Sequence, residues 1–284
     1  MDSGPRTKNG LRTTDGLSTK HQAPSTKLRQ AISTAEGKQR YVRRLFATIA
    51  DRYDFITGFL SYGQDRRWKR RLIQLAQLQS SDRVLDLACG TGDIVFAAAP
   101  HVERAVGLDV THRMLQLAQR RITGHGGTKT QRKEFSSVTP CLRGLRKGPK
   151  ASFVTGDMLA LPFPDRSFTV VTIGYGLRNV PDLQQSLREI RRVLAPHGRV
   201  LSLDFNRPSN PIVRPVYLAY LTIVGSALGF ALHGDPDTYR YIPESIRNYP
   251  GAAGVARMME QSGFTDVRVV PVLGGLMAIH LAKG

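Results

Sequence analysis

The sequence predicts an α/β protein with a mostly parallel sheet and helices on both faces. Three observations predict it. At 284 residues the chain is within the size of one α/β domain and long enough to bury a large core without staples. From residue 83 onward, short apolar runs alternate with segments of helical period. The first run, RVLDLACGTGD from Arg83, passes through a glycine turn directly into a helix.

Taken in order, residues 1–35 are rich in Ser, Thr, Gly and Lys, lack an apolar period and are expected to be a disordered basic tail. They also lack the apolar region of a signal peptide. From Glu36 the pattern turns helical, with Tyr41, Leu45, Phe46 and Ile49 three or four residues apart, so 36–80 reads as an N-terminal helical cap. After the strand at Arg83, ERAVGLD forms a second strand ending at Asp109, and THRMLQLAQRR a helix capped by Thr111. SFVTGD and FTVVTIGYG are the third and fourth strands. DLQQSLREIRRVL is a helix with Asp182 at its start, and RVLSLDF is a fifth strand after the turn PHG. Residues 208–250 form an apolar helical lid, followed by a helix over 251–262 and closing strands in FTDVRVVPV and GLMAIHLA. The single domain expected is therefore 36–284, carrying a basic insert at 124–150.

Charge and composition narrow the function. Forty-one Lys and Arg against 22 Asp and Glu give +19, which predicts an anionic partner such as nucleic acid, anionic lipid or an acidic ligand. Residues 1–38, 40–71 and 124–150 contribute +4, +6 and +6, so the excess lies in the tail, the cap and the insert. Only two cysteines, Cys89 and Cys141, exclude a disulfide scaffold and a Cys-rich zinc module, and no metal site is expected. Val216 to Leu232 is 17 residues without a charge. It is open to three readings: a buried core helix, a membrane span, or a greasy lid over an apolar substrate.

The glycine turn carries the chemistry. Gly90 and Gly92 allow a tight turn and close ligand approach, with Thr91 between them. Asp109 ends the next strand 19 residues beyond Gly90, the spacing of a carboxylate that accepts both ribose hydroxyls. A dinucleotide site would have a third glycine where Val95 stands, and no Walker lysine is present. Asp86 before the loop and Asp93 after it would repel a pyrophosphate but attract a sulfonium and an ammonium. Together with GDM at Gly156–Met158, this points to S-adenosylmethionine as cofactor, with Asp86, Gly90, Thr91, Gly92, Asp109, Asp157 and Met158 around it.

Five blocks in order resemble the menaquinone/ubiquinone-biosynthesis C-methyltransferases. They are YDFITGFLSYGQDRRW (Tyr53–Trp68), LPFPDRSFTVVTIGYGLRNVPD (Leu161–Asp182), RVLAPHGRVLSLDFNRP, DTYRYIPESIRNYP and GLMAIHLAKG. The resemblance covers about 40–284 and lies closest to the members that methylate demethylmenaquinone. It departs from the family pattern at Thr57, Asp65, Gly174, Asp204 and Asn206, and in the basic insert. It implies a class I Rossmann-like, S-adenosylmethionine-dependent methyltransferase fold with a seven-stranded sheet. It adds Gly174 to the cofactor pocket, sets Arg178 and Asn179 toward the reacting ring, and brings Tyr53, Tyr239 and Tyr241 to the substrate. The implied reaction is C-methylation of a prenylated quinol, demethylmenaquinol to menaquinol, or of the corresponding ubiquinone precursor. His233, Asp235 and Tyr239 are the candidate bases. The expected setting is cytoplasmic and peripheral at the inner face of the cell membrane, docked through the basic N-terminal face, with a second copy of the chain as a further partner.

Two rival readings differ in class. The charge suits a nucleic-acid methyltransferase, but Cys141 in VTPC lies before the third strand rather than after the fourth, and no N/D-P-P-Y motif is present, so no nucleic-acid partner is expected. A non-catalytic S-adenosylmethionine-binding assembly protein would keep the cofactor pocket and make no use of Arg178.

Overall fold

A computed structural model describes residues 26–61, 63–124, 150–208 and 210–284. Most of the expected tail and basic insert, with Cys141, lies outside the described residues. The described chain opens with α1 (Thr26–Ala31), whose Leu28 is buried, so ordered backbone begins well before residue 35. Three helices follow: α2 (Ala35–Ile49), α3 (Tyr53–Leu60) and α4 (Asp65–Ala76). Thr34 caps α2, its hydroxyl accepting from the Gly37 amide, and Val42, Leu45 and Ile49 form the buried stripe.

The central unit runs β1 (Arg83–Leu87), α5 (Asp93–Ala98), β2 (Arg104–Asp109), α6 (His112–Gly124), β3 (Ala151–Thr155), β4 (Phe168–Gly174), α7 (Leu183–Val193) and β5 (Leu194–Phe205). Asp182 caps α7 by accepting from the Gln185 amide at 2.9 Å. The fifth strand starts before Pro196-His197-Gly198, not after it. Leu194 already pairs with Phe168, and the register slips before Val170–Arg199. The chain ends with α8 (Val213–His233), α9 (Asp237–Arg247), α10 (Gly251–Gln261), β6 (Thr265–Val272) and β7 (Met277–Lys283).

The seven strands lie in the order β3-β2-β1-β4-β5-β7-β6. The first five are parallel, and β7 and β6 pair antiparallel. Alternate residues face opposite layers. Leu85, Leu87, Val171 and Ile173 meet Leu187 and Ile190 of α7, whereas Val84 and Val170 meet Leu72 of α4 and Val95 of α5. Both faces are covered, which is why the strands read as continuous apolar runs.

Successive connections leave β1 toward β2 on one side and β4 on the other, so the carboxyl ends of β1 and β4 border the crevice where such sheets bind ligands. The residue after each of these strands has left-handed backbone, Ala88 (φ 50°) and Tyr175 (φ 61°). Conformations this costly in non-glycine residues collect at functional sites. Over the crevice, α1, α2, α3 and α9 pack into a separate apolar cluster around Leu45, Ile49, Ile56 and Tyr239.

The apolar 213–233 segment is a single helix that packs closely on α9. A Cβ on Gly229 would stand 2.6 Å from the Asp235 carbonyl oxygen, and one on Gly225 3.2 Å from that of Tyr239. Only 22% of its most apolar window is buried, which excludes the core-helix reading.

Candidate active site

Three clefts meet at the switch point. The first runs over Asp109, Val110, Gly156, Asp157 and Met158, with Gln39, Val42, Arg43 and Phe46 of α2 above it. The second is small and polar, lined by Asp86, Gly90, Thr91, Asp93 and Lys69. The third is an apolar cavity of about 420 Å³ between α2, α3, α8 and α9, with Arg178 in its wall. Tyr53 and Tyr175 border all three. The sequence reading singled out Tyr53 but missed Tyr175; a Tyr set between Gly174 and Gly176 at the end of an apolar strand was its one signal.

Asp109 is buried, and its two oxygens accept from the Gly90 amide (2.9 Å) and the Thr111 amide (2.7 Å). Burial raises its pKa, against these amides and the Thr111 hydroxyl. Thr111 also opens α6, its carbonyl accepting from the Met114 and Leu115 amides. Asp157 is held by Gln39 and by Arg43 (3.3 Å), which ties its loop to α2. Gly90 has φ 54°, and a Cβ there would meet nothing nearer than Tyr53 at 3.8 Å, so its missing side chain leaves room for a ligand. Gly92 differs. Its Cβ would stand 2.7 Å from Phe153, and it borders none of the three clefts, so this glycine serves packing at φ 86° rather than ligand approach.

The two acids beside the loop also differ. Asp93 is bound by Lys69 (2.9 Å) and Arg121 (2.7 Å). Burial opposes its ionisation, but these cations outweigh it and hold its pKa low. Its charge is thus spent inside the protein, contrary to the sequence expectation. Asp86 is nearly sealed from solvent and accepts from the Thr172 hydroxyl at 2.8 Å. Burial pushes its pKa up to about 8, against the Thr172 bond and the Lys69 charge. A cation arriving here would find a carboxylate with too little positive charge around it. Thr91 lines the same cleft, with its hydroxyl donated to Asp54 (2.8 Å). Gly174 borders the first and second clefts.

Arg178 and Asp204 form the ion pair of the apolar cavity. One guanidinium nitrogen donates to Asp204 Oδ1 (2.6 Å) and to the Tyr175 carbonyl (3.0 Å), and the Arg178 amide donates to Asp204 Oδ2 (3.1 Å). The guanidinium lies 4.7 Å from the Phe205 ring centroid. Burial opposes its charge, yet Asp204 outweighs it and raises the pKa further. Arg178 Nε is buried without a partner among the described residues. A water or a ligand oxygen would complete its hydrogen bonding.

Asn179 borders the first cleft rather than the apolar cavity. Its amide nitrogen donates to the Tyr175 carbonyl (2.9 Å) and its oxygen accepts from Tyr241 (3.1 Å), so it ties α9 to the β4 loop. Tyr239 and Tyr241 line the apolar cavity, and the Tyr239 hydroxyl is 2.9 Å from His233 Nε2. Asp235, the remaining candidate base, is exposed and spends an oxygen on the Asp237 amide. Lys38, which the sequence did not single out, donates to the carbonyls of Arg178 (3.0 Å) and Val180 (2.7 Å). Burial and the Arg178 charge lower its pKa to about 8.

The donor set fits a cationic nucleoside. Asp109 presents a buried carboxylate at one end, Asp86 an undercompensated one at the other, and open space over Gly90 lies between them. Comparison with known proteins agrees. A demethylmenaquinone methyltransferase of Thermus thermophilus is 38% identical over 84% of this chain and 98% of its own length. A ubiquinone/menaquinone biosynthesis C-methyltransferase of Hahella chejuensis is 35% identical over 86% and 91%. Solved SAM-dependent methyltransferases share the fold. One from Thermotoga maritima has a TM-score of 0.55 at 14% identity, covering 84% of this chain and 98% of that one. Another, from Aquifex aeolicus, has a TM-score of 0.50 at 16% identity, covering 76% and 88%. The profile of one family matches residues 34–283, almost the whole described chain, and the protein belongs to the ubiE/COQ5 methyltransferase family.

Proposed function

We propose that the protein is an S-adenosylmethionine-dependent C-methyltransferase that converts demethylmenaquinol to menaquinol. The observation that carries this reading is the apolar cavity with Arg178, buried and paired with Asp204, in its wall, which adjoins the nucleoside cleft at Tyr53 and Tyr175. The relatives' names supply the substrate class, and the departure at Asp204-Phe205-Asn206 favours the naphthoquinol ring over the benzoquinol precursor of ubiquinone.

S-adenosylmethionine, when bound, supplies a methyl group made electrophilic by the positive sulfur. Asp109 would hold the ribose hydroxyls, Gly156–Met158 the base, and Asp86 the cationic methionine end. The ring carbon becomes nucleophilic as the neighbouring hydroxyl loses its proton. Arg178 would stabilise the resulting oxyanion through Nε, its other contacts holding the guanidinium still. A preorganised donor of this kind is worth about 3 kcal/mol. The proton passes to the Tyr239–His233 pair. Burial and nearby Arg52 lower the His233 pKa, which keeps the imidazole neutral and able to accept. Holding two reactants in line can supply about 7–11 kcal/mol more. Asn179 and Tyr241 position the loop that bears Arg178.

A prenyl tail on the substrate supports a reading in which the enzyme works at a membrane surface, on the cytoplasmic side. Positive charge in the cap would draw it to anionic lipid, at about 1 kcal/mol per Lys or Arg near the surface. The decisive experiment supplies purified protein with S-adenosylmethionine and, separately, reduced demethylmenaquinone and the reduced ubiquinone precursor. Methylation of the first at the higher kcat/KM is expected. Methylation of neither, with the cofactor bound, would overturn the reading. A strain without the gene should accumulate demethylmenaquinone.

A further inference from the structure

The exposed apolar side chains are not scattered. Among the described residues nine large hydrophobic side chains are exposed, and all but Val269 belong to three segments. Phe55 and Phe59 are on α3. Ile212, Val213, Val216, Ile223 and Phe230 are on α8 or the residue before it. Leu273 is in the turn between β6 and β7. These same segments wall the apolar cavity from inside, through Thr57 and Leu60, Tyr217 and Leu221, and Leu273 itself. Leu273 both lines the cavity and is 52% exposed, so it marks the mouth.

The outer face of α8 is apolar along its length. Val216, Ala219, Ile223, Ala227 and Phe230 recur three or four residues apart and are all exposed. No charge interrupts the helix between Arg214 and His233. Cations stand near both ends, Arg214 in the first turn and Arg52, which donates to the Leu232 carbonyl, at the other. The helix is long and apolar enough to cross a bilayer by composition, yet one side of it is committed to α9 through Gly225 and Gly229. A helix with one packed side, one lipid-compatible side and basic ends belongs in the interface plane.

We infer that the outer faces of α3 and α8, with Leu273, enter the acyl layer of an anionic membrane leaflet, so that the mouth of the cavity opens directly into lipid. The inference rests on the prenylated-quinol reading above. It also differs from docking through the basic face alone, because it adds a component that salt does not remove. A lipid-facing mouth lets an apolar tail stay in the bilayer while its ring enters between α3 and α8, with no transfer through water.

The test is flotation of the full-length protein with phosphatidylcholine vesicles containing phosphatidylglycerol, at low and high salt. Wild type should float at both, less at high salt. The double variant Ile223→Glu/Phe230→Glu changes two side chains that are each 69% exposed, so the fold should survive, checked by circular dichroism and by S-adenosylhomocysteine binding. Each substitution should lower partitioning about tenfold, the change expected for losing one buried apolar side chain. Turnover of a short-tailed quinol in detergent should be unchanged, and turnover of a long-tailed quinol in vesicles should fall. Flotation of the double variant equal to wild type would overturn the inference, as would absence of wild-type flotation. A wild-type dimer that the variant converts to a monomer with flotation unaltered would assign the face to a second copy instead. Flotation involves no methyl transfer, so failure of the catalytic reading would appear separately, as intact flotation without turnover of any quinol.

Discussion

Cofactor affinity should rise with pH up to about 8, because of Asp86. Its carboxyl is nearly sealed from solvent, and burial raises its pKa to about 8 in the free protein. At neutral pH it is therefore mostly protonated, and a cation seated beside it must drive the proton off. Below the pKa each pH unit then weakens binding tenfold, about 1.4 kcal/mol. From pH 8, where half the carboxyl is already ionised, to pH 6 the loss is about 50-fold, about 2.3 kcal/mol. The same shift acts on stability with opposite sense. A folded-state pKa raised above the unfolded value favours the folded state at low pH, and that advantage is lost as pH rises from about 4 to 8. Bound cofactor should offset the loss, so the thermal shift on ligand binding grows with pH. The assay is calorimetric titration with S-adenosylhomocysteine, whose ammonium stays charged over this range, on wild type and on Asp86→Asn. The asparagine variant should bind with a flat pH profile. A flat profile in wild type, or an unchanged slope in Asp86→Asn, would refute the reasoning.

Other expectations follow from single contacts. Arg178→Ala should lower turnover roughly 100-fold or more while retaining cofactor binding, and should cost roughly 3–5 kcal/mol in urea unfolding because Asp204 is left buried and unpaired; full turnover would remove Arg178 from the site. Gly92→Ala should destabilise the fold by about 1–3 kcal/mol through its clash with Phe153, whereas Gly90→Ala should chiefly weaken cofactor binding, a difference that melting curves and calorimetry together resolve. His233→Gln should lower kcat with little change in KM and remove the acidic limb of the pH–rate profile; an unaltered profile would direct the proton elsewhere.

Much of the fold was legible because doubly covered strands and amphipathic helices write their periods into the chain. The strand ending at Asp109, the cap at Asp182 and the antiparallel closing pair are all local patterns. Expectation and structure part where distant segments meet. The two glycines of one turn look alike in sequence, yet Gly92 faces Phe153, 61 positions on, and Gly90 faces open space. Asp93 looked free because its partners Lys69 and Arg121 lie on two separate helices. Asp204 did leave a trace, since an acid inside the apolar run RVLSLDF requires a buried cation, and Arg178 is that cation. Nothing local marks Lys38, whose carbonyl partners are about 140 positions away.

Helix α2 crosses the nucleoside cleft like a bar across a doorway. It is fastened on one side through Lys38 to the carbonyls after β4, and on the other through Gln39 and Arg43 to Asp157. Exit of a spent nucleoside on the α2 side would require these fastenings to open. Were that opening the slowest event in turnover, loosening the Lys38 fastening would raise the steady-state rate even as it weakened the grip on the cofactor.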